Sequence, residues 1–222
     1  MKLSIALLTP LLVTGQEIAL GTGARLIQPR HSGNGCPSGS TNITMSASGD
    51  WITITHSKFR TYIGPSYPPA EKTKNCQVQL PISAPSAEHF PQGVKGVQYT
   101  LAGTEYEGYY SQLDEGVTAI HYSTYYSNQM DTYTATTIAR FDGGETWRAP
   151  GRSYNESRMI PLSSLAYTYC ARPGATAATF YANERVAMNS SNPQAYGVSF
   201  AGEAVDLLYT RRIRVLWRAC TP

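Results

Sequence analysis

Charge is scarce in this 222-residue sequence. Asp, Glu, Lys and Arg make up 15% of it, against the ~25% usual for soluble domains. The net charge is +3, with no basic stripe of the kind that holds nucleic acid or an anionic membrane. No apolar run reaches the ~20 residues a spanning helix needs, so no membrane span is expected. No window longer than about twelve residues carries the 3.6-residue apolar stripe of an amphipathic helix. Catalytic signatures are missing too. There is no H-E-x-x-H and no phosphate-cradling glycine loop. Gly197-Val198-Ser199-Phe200-Ala201 lacks the closing glycine of G-x-S-x-G. The four cysteines form no C-x-x-C, and His31, His56, His89 and His121 do not fall near them at ligand spacing. Neither a metal site nor a cofactor is expected.

Thr, Ser, Gly, Tyr and Pro fill the place of the missing charge, as in extracellular all-β proteins. An aromatic content of 11% argues against disorder. Met1-Lys2, the apolar run LSIALLTPLLV and the small residues Thr14 and Gly15 read as a signal peptide over residues 1–15. Residues 16–35 read as a flexible segment. Export makes the even cysteine count a disulfide framework. Three pairings are open. Cys36–Cys76 with Cys170–Cys220 is favoured, each bond closing a loop of roughly 40–50 residues and contributing on the order of 3–4 kcal/mol by the chain-entropy estimate. Three N-glycosylation sequons begin at Asn42, Asn155 and Asn189.

Strand signals dominate. Trp51–His56, Cys76–Leu80 and Ile213–Arg218 alternate with period two; Thr132–Ile138 is rich in β-branched residues, and Ala177–Met188 mixes apolar and polar residues. Asp142-Gly143-Gly144 and Asp114-Glu115-Gly116 mark turns. The loops are 64–69, 81–93, 151–155 and 189–193. This pattern predicts a disulfide-stabilised antiparallel β-sandwich, jelly-roll-like, as a single domain over residues 36–222.

Six of the sixteen tyrosines crowd into Tyr106–Ser127. Read as a hairpin about Asp114–Gly116, this segment sends Tyr106 and Tyr110 to one face. Glu105, Glu107 and Tyr109 go to the other. In the second arm Tyr122 and Tyr126 share a face with Ile120, and His121 and Tyr125 fall opposite. One set of rings fills a core, and the other stands on an exposed face beside the two glutamates.

The same segment carries a resemblance. With Cys36-Pro37-Ser38-Gly39-Ser40, Phe59…Gly64-Pro65, Lys74-Asn75-Cys76, Pro91-Gln92-Gly93 and Trp217-Arg218-Ala219-Cys220, the chain resembles the small secreted, mostly fungal proteins of the domain-of-unknown-function 4360 family. That likeness implies a secreted, disulfide-containing β-sandwich and carries over no catalytic residue.

Glu105 and Glu107 are the candidate acid–base pair, two apart on one strand face. Tyr109, Tyr125 and His121 are candidate binding residues on an aromatic surface. Arg212 and Arg214 share one face of the basic end and are candidate anion contacts. The expected function is non-enzymatic: a secreted, extracellular or cell-wall protein that recognises a glycan or an extracellular protein. A hydrolase or lyase on the same scaffold is the first alternative, and a structural wall or spore-coat component the second.

Overall fold

The computed structural model describes residues 21–127, 134–147, 151–199 and 208–220; the expected signal peptide lies outside them. Thirteen strands follow in chain order among the described residues: β1 (Arg25–Leu26), β2 (Arg30–Ser32), β3 (Thr41–Met45), β4 (Trp51–His56), β5 (Tyr62–Ile63), β6 (Thr73–Ser83), β7 (Val97–Leu113), β8 (Val117–Tyr126), β9 (Thr134–Asp142), β10 (Arg152–Met159), β11 (Thr176–Ser190), β12 (Gly197–Ser199) and β13 (Tyr209–Ala219). They form two antiparallel sheets. The smaller has the order β1-β6-β11-β8-β9, with β2 also on β6. The larger has the order β3-β4-β13-β7-β12-β5, with β10 also on β7. The predicted β-sandwich is the observed fold.

Period-two side-chain alternation builds both layers. Trp51–His56 alternates half-buried and buried, and so does Val117–Tyr126 in opposite phase. One irregularity matters. The β13–β7 register slips between Arg214↔Gly103 and Val215↔Leu101, leaving Ala102 as the extra residue of a bulge. The bulge reverses the parity of β7, so Tyr99 and Tyr106 both point inward despite odd and even numbers. Gly103 is required there, because a Cβ would stand 2.8 Å from the Arg158 carbonyl oxygen.

Three features differ from the sequence reading. The turn at Asp114–Gly116 is present, closed by Val117 N–H donating to the Asp114 carbonyl at 3.0 Å. Its arms do not form a hairpin, however: β7 belongs to the larger sheet and β8 to the smaller. Residues 152–155, read as loop, open β10, which pairs with β7 over Arg152↔Tyr110 to Met159↔Gly103. Polar Ser, Asn and Glu hid this edge strand, whose outer face is solvated. Finally, the segment read as flexible pairs Arg25–Leu26 and Arg30–Ser32 with β6.

Both favoured disulfides form. Cys36–Cys76 fastens the N-terminal segment to β6, with Cα atoms 5.5 Å apart, and Cys170–Cys220 ties down the end of β13 at 5.9 Å. The loops of 40 and 50 residues are each worth about 4 kcal/mol in the chain-entropy picture.

The space between the sheets is unusually polar. Glu184 of β11 and Arg211 of β13 are both buried, with Arg211 Nε 3.6 Å from Glu184 Oε2. His56 Nε2 lies 3.1 Å from the same oxygen, and Thr41 Oγ1 is 3.0 Å from His56 Nδ1. Arg211 Nη1 donates to Ser123 Oγ at 3.2 Å. Burial alone would raise the Glu184 carboxyl. The Arg211 charge and the bonds from His56 and Tyr209 outweigh it and hold the group at about 2. Beside this cluster, the Tyr110 hydroxyl lies 2.6 Å from His121 Nε2, and the Tyr209 hydroxyl 3.4 Å from His121 Nδ1. Burial lowers His121 to about 3, against the pull of Glu184. The neutral imidazole therefore accepts from Tyr110, whose phenol burial holds in its protonated form.

Two outcomes follow for stability. Arg211→Met strands the Glu184 carboxylate and lowers unfolding free energy by roughly 3–5 kcal/mol, read from urea titration. An Arg211→Met/Glu184→Gln double variant loses less than the sum of the single losses; additive losses would refute the pairing. The second outcome concerns pH. The His121 contribution is complete above 6.5 and is lost as pH falls toward 3, because the unfolded chain takes up the proton first. Glu184 adds to the loss between 4.5 and about 2. Stability therefore falls by roughly 1 kcal/mol per pH unit below about 6.5 and more steeply below about 4.5. His121→Gln abolishes the upper part of that slope; an unchanged slope would rule His121 out as its source.

Candidate functional site

The two outer faces of the sandwich differ in chemistry. On the larger sheet one cross-strand row holds Asn42, Thr55, Thr210, Glu107 and Asn155, and the next holds Thr44, Thr53, Arg212, Glu105 and Ser157. The expected acid–base pair and the expected anion-binding arginines thus share a face, where one member of each pair is engaged with the other. Arg212 Nη1 donates to Glu105 Oε2 at 2.8 Å, and its guanidinium carbon lies 4.6 Å from the centre of the Trp51 ring. Arg214 pairs opposite Trp51 in register. Tyr109 is half-buried, its hydroxyl close against Gly151. The hollows at Gly116–Thr118 with Arg140, Asp142 and Asn189, and around Pro29–Ser38, are lined by other residues.

His121 and Tyr125 require correction as binding residues, because both are buried in the core. Alternation along β8 has the expected phase, but the exposed face is the opposite one. Ile120 and Tyr122 point outward, while His121, Ser123 and Tyr125 point inward, where Tyr110 bonds to His121 and Arg211 to Ser123.

Three half-buried tyrosines, Tyr122, Tyr126 and Tyr181, stand on the outer face of the smaller sheet. Tyr126 and Tyr181 are paired in register on β8 and β11, with ring centres 5.0 Å apart and planes 11° from parallel. The Gln77 amide of β6 donates to the Tyr126 hydroxyl. Stacking and this tether hold the two rings in one position. Around them the rows run Gln79–Tyr181–Tyr126–Thr134, Gln77–Asn183–Thr124–Thr136 and Asn75–Arg185–Tyr122–Ile138. Thr124 and Thr136 hydroxyls hydrogen-bond at 3.1 Å. A shallow groove lined by Arg30, His31, Ser32, Gln77 and Gln79 continues the face past β6 onto β2. Among these rows there is no carboxylate. Asp142 lies at the far end, where Arg140 Nη2 holds it at 2.9 Å. The surface is therefore neutral to basic, rich in amides and hydroxyls, and built on regular strands. Sequence reasoning missed Gln77, Tyr181 and Asn183. Each lay on a readable alternation, but only the strand order β6-β11-β8 sets them beside Tyr126.

No group of three or more His, Cys, Asp or Glu side chains among the described residues is placed to hold a metal ion. Among the same residues no helix is long and apolar enough to cross a membrane.

A family model described as a domain of unknown function, DUF4360, matches residues 23–220. The chain belongs to the DUF4360 family. The match takes in β1 and β2, in keeping with their pairing on β6. An uncharacterized secreted protein of Arthroderma benhamiae is 24% identical over 192 residues, covering 86% of this chain and 69% of that protein. With two disulfides closed in the fold, this DUF4360 protein is read as secreted. Among solved structures, TmCBM61 in complex with β-1,4-galactotriose aligns over 92% of this chain and 97% of its own, at 7% identity and a TM-score of 0.27. A likeness that slight carries no argument about ligand or site.

The Glu105–Arg212 pair is half-exposed and solvent-screened. Glu105→Gln is therefore expected to change stability by less than ~1 kcal/mol in urea titration. A loss near the size of the Arg211 effect would show that the outer face bears on the fold.

Proposed function

We propose that this secreted protein binds a polysaccharide along the outer face of its smaller sheet. The carrying observation is the fixed Tyr126–Tyr181 pair. Ring faces that are already immobilised offer apolar area to the C–H surface of a sugar at little further entropic cost. The amides of Gln79 and Asn183 and the hydroxyls of Thr124 and Thr136 stand in the adjoining rows, able to exchange hydrogen bonds with sugar hydroxyls. The face is open and spans β6 to β9 with the groove at Arg30–Ser32 beyond. An extended chain fits such a surface; a single enclosed sugar does not. The absence of carboxylates from the central rows suits neutral or acidic glycans and disfavours cationic ones.

The test is co-sedimentation of the purified protein with insoluble cellulose, chitin and β-1,3-glucan, followed by titration of soluble oligosaccharides from any polymer that retains it. Tyr181→Ala is expected to weaken binding tenfold or more, about 1.4 kcal/mol, with unchanged urea stability, and Glu107→Gln to leave it intact. Undiminished binding by a Tyr126→Ala/Tyr181→Ala variant would exclude this face. Failure of every polymer to retain the wild type would exclude the reading itself.

A further inference from the structure

We propose that Asn42 and Asn155 carry N-linked glycans, and that the two glycans cover the outer face of the larger sheet and its β3 and β10 edges. Each asparagine opens a sequon, Asn42-Ile43-Thr44 and Asn155-Glu156-Ser157. Each is exposed on a strand, and the period of two puts its Thr or Ser on the same exposed face. The register then relates them. Asn42 pairs with Thr55, Thr55 with Thr210, Thr210 with Glu107 and Glu107 with Asn155. The two positions therefore end one row across five strands, about 19 Å apart at ~4.8 Å per strand. Glu107 and Thr210 lie between them. Both strands are edges: among the described strands β3 pairs only with β4, and β10 only with β7.

An edge strand with a free hydrogen-bonding side invites pairing with another chain, and charge or proline is the common defence. The sequence of β3, Thr-Asn-Ile-Thr-Met, has neither. A glycan at its second residue supplies the missing bulk. Asn189, the third sequon, is exposed on the smaller sheet instead, eight residues along β11 from Tyr181, or about 27 Å. The modification is a transfer from a polyprenyl-diphosphate-linked oligosaccharide of the secretory pathway. The asparagine amide nitrogen bonds to the anomeric carbon and gives up one proton. The bond from that carbon to the diphosphate oxygen breaks, and polyprenyl diphosphate leaves. The inference is independent of the ligand assigned to the smaller sheet.

The experiment secretes the full chain from a eukaryotic host, releases glycans with peptide-N-glycosidase in ¹⁸O-water and maps the peptides by mass spectrometry. Labelled aspartate at both Asn42 and Asn155 is the expected result. An unmodified asparagine at either position overturns the proposal. Shielding is read separately on the folded, glycosylated protein, before and after native deglycosylation, by light scattering. Removal of the glycans is expected to raise the apparent mass about twofold or more as the bared edges pair. An unchanged mass overturns the shielding role, without recourse to variants that fail to fold.

Discussion

The buried carboxylate of one glutamate sets the terms for this sandwich. Glu184 belongs to the smaller sheet, and both of its charged or chargeable partners, Arg211 and His56, belong to the larger. An ion removed from water is tolerable only beside its partners. Strand register determines whether they meet. His56 pairs with Tyr209 and Arg211 with Ile54 on one side of the core; Glu184 pairs with Ser123 and Val186 with His121 on the other. A slip of one residue in any of these ladders would turn a charge outward and leave its partner stranded. Hydrophobic filling from Ile52, Ile54, Val78, Leu80 and Phe180 accepts many packings; the ionic cluster accepts one.

The crowded tyrosines make sense around that centre. A phenyl ring fills the gap between two sheets, and its hydroxyl can serve a polar neighbour. Tyr99 donates to the Ala178 carbonyl at 2.5 Å, Tyr106 lies 2.8 Å from Thr137 Oγ1, and Tyr110 reaches His121. Tyr106 and Tyr110 come inward from one sheet and Tyr125 from the other, because the turn at Asp114–Gly116 carries the chain across the core. Rings that an uninterrupted hairpin would have divided between one buried and one exposed face instead meet in the interior. Those left outside, Tyr122 and Tyr126, stand on the face that Tyr181 completes.

Local alternation made much of this legible. The sandwich class, the outward set Arg212, Arg214 and Arg218 and the inward set Ile213, Val215 and Trp217 follow from period two, and the disulfide partners are the favoured one of three open pairings. What alternation does not carry is sign: it divides a strand into two faces without saying which is buried. On β8 Ile120 stands on the outward face, while the inward face mixes Val117 and Ala119 with His121, Ser123 and Tyr125. Arg211 was hidden for the same reason, although its parity with Ile213 placed it inside. The bulge at Ala102 and the neighbour relations of β6, β11 and β8 depend on partners distant in sequence, so no local window contained them. The candidate site was accordingly half visible. Tyr126 is legible in the sequence as an aromatic of one strand face, while only the fold brings Tyr181 and Gln77 to it.

The two sulfur bridges have a consequence for how the molecule survives outside the cell. The exposed loops at 65–70 and 191–194 each lie within a span closed by a bridge, 36–76 and 170–220. A protease that nicks either loop liberates nothing; the cut ends remain tethered until a reductant arrives. Between Gln77 and Tyr169 no bridge spans the chain, and a nick there leaves only non-covalent contacts, the ladder hydrogen bonds and the packed core, to keep the pieces joined. Endurance in a protease-rich medium is thus unequal along the polypeptide, and its weakest stretch contains the tyrosine-rich strands β7 and β8.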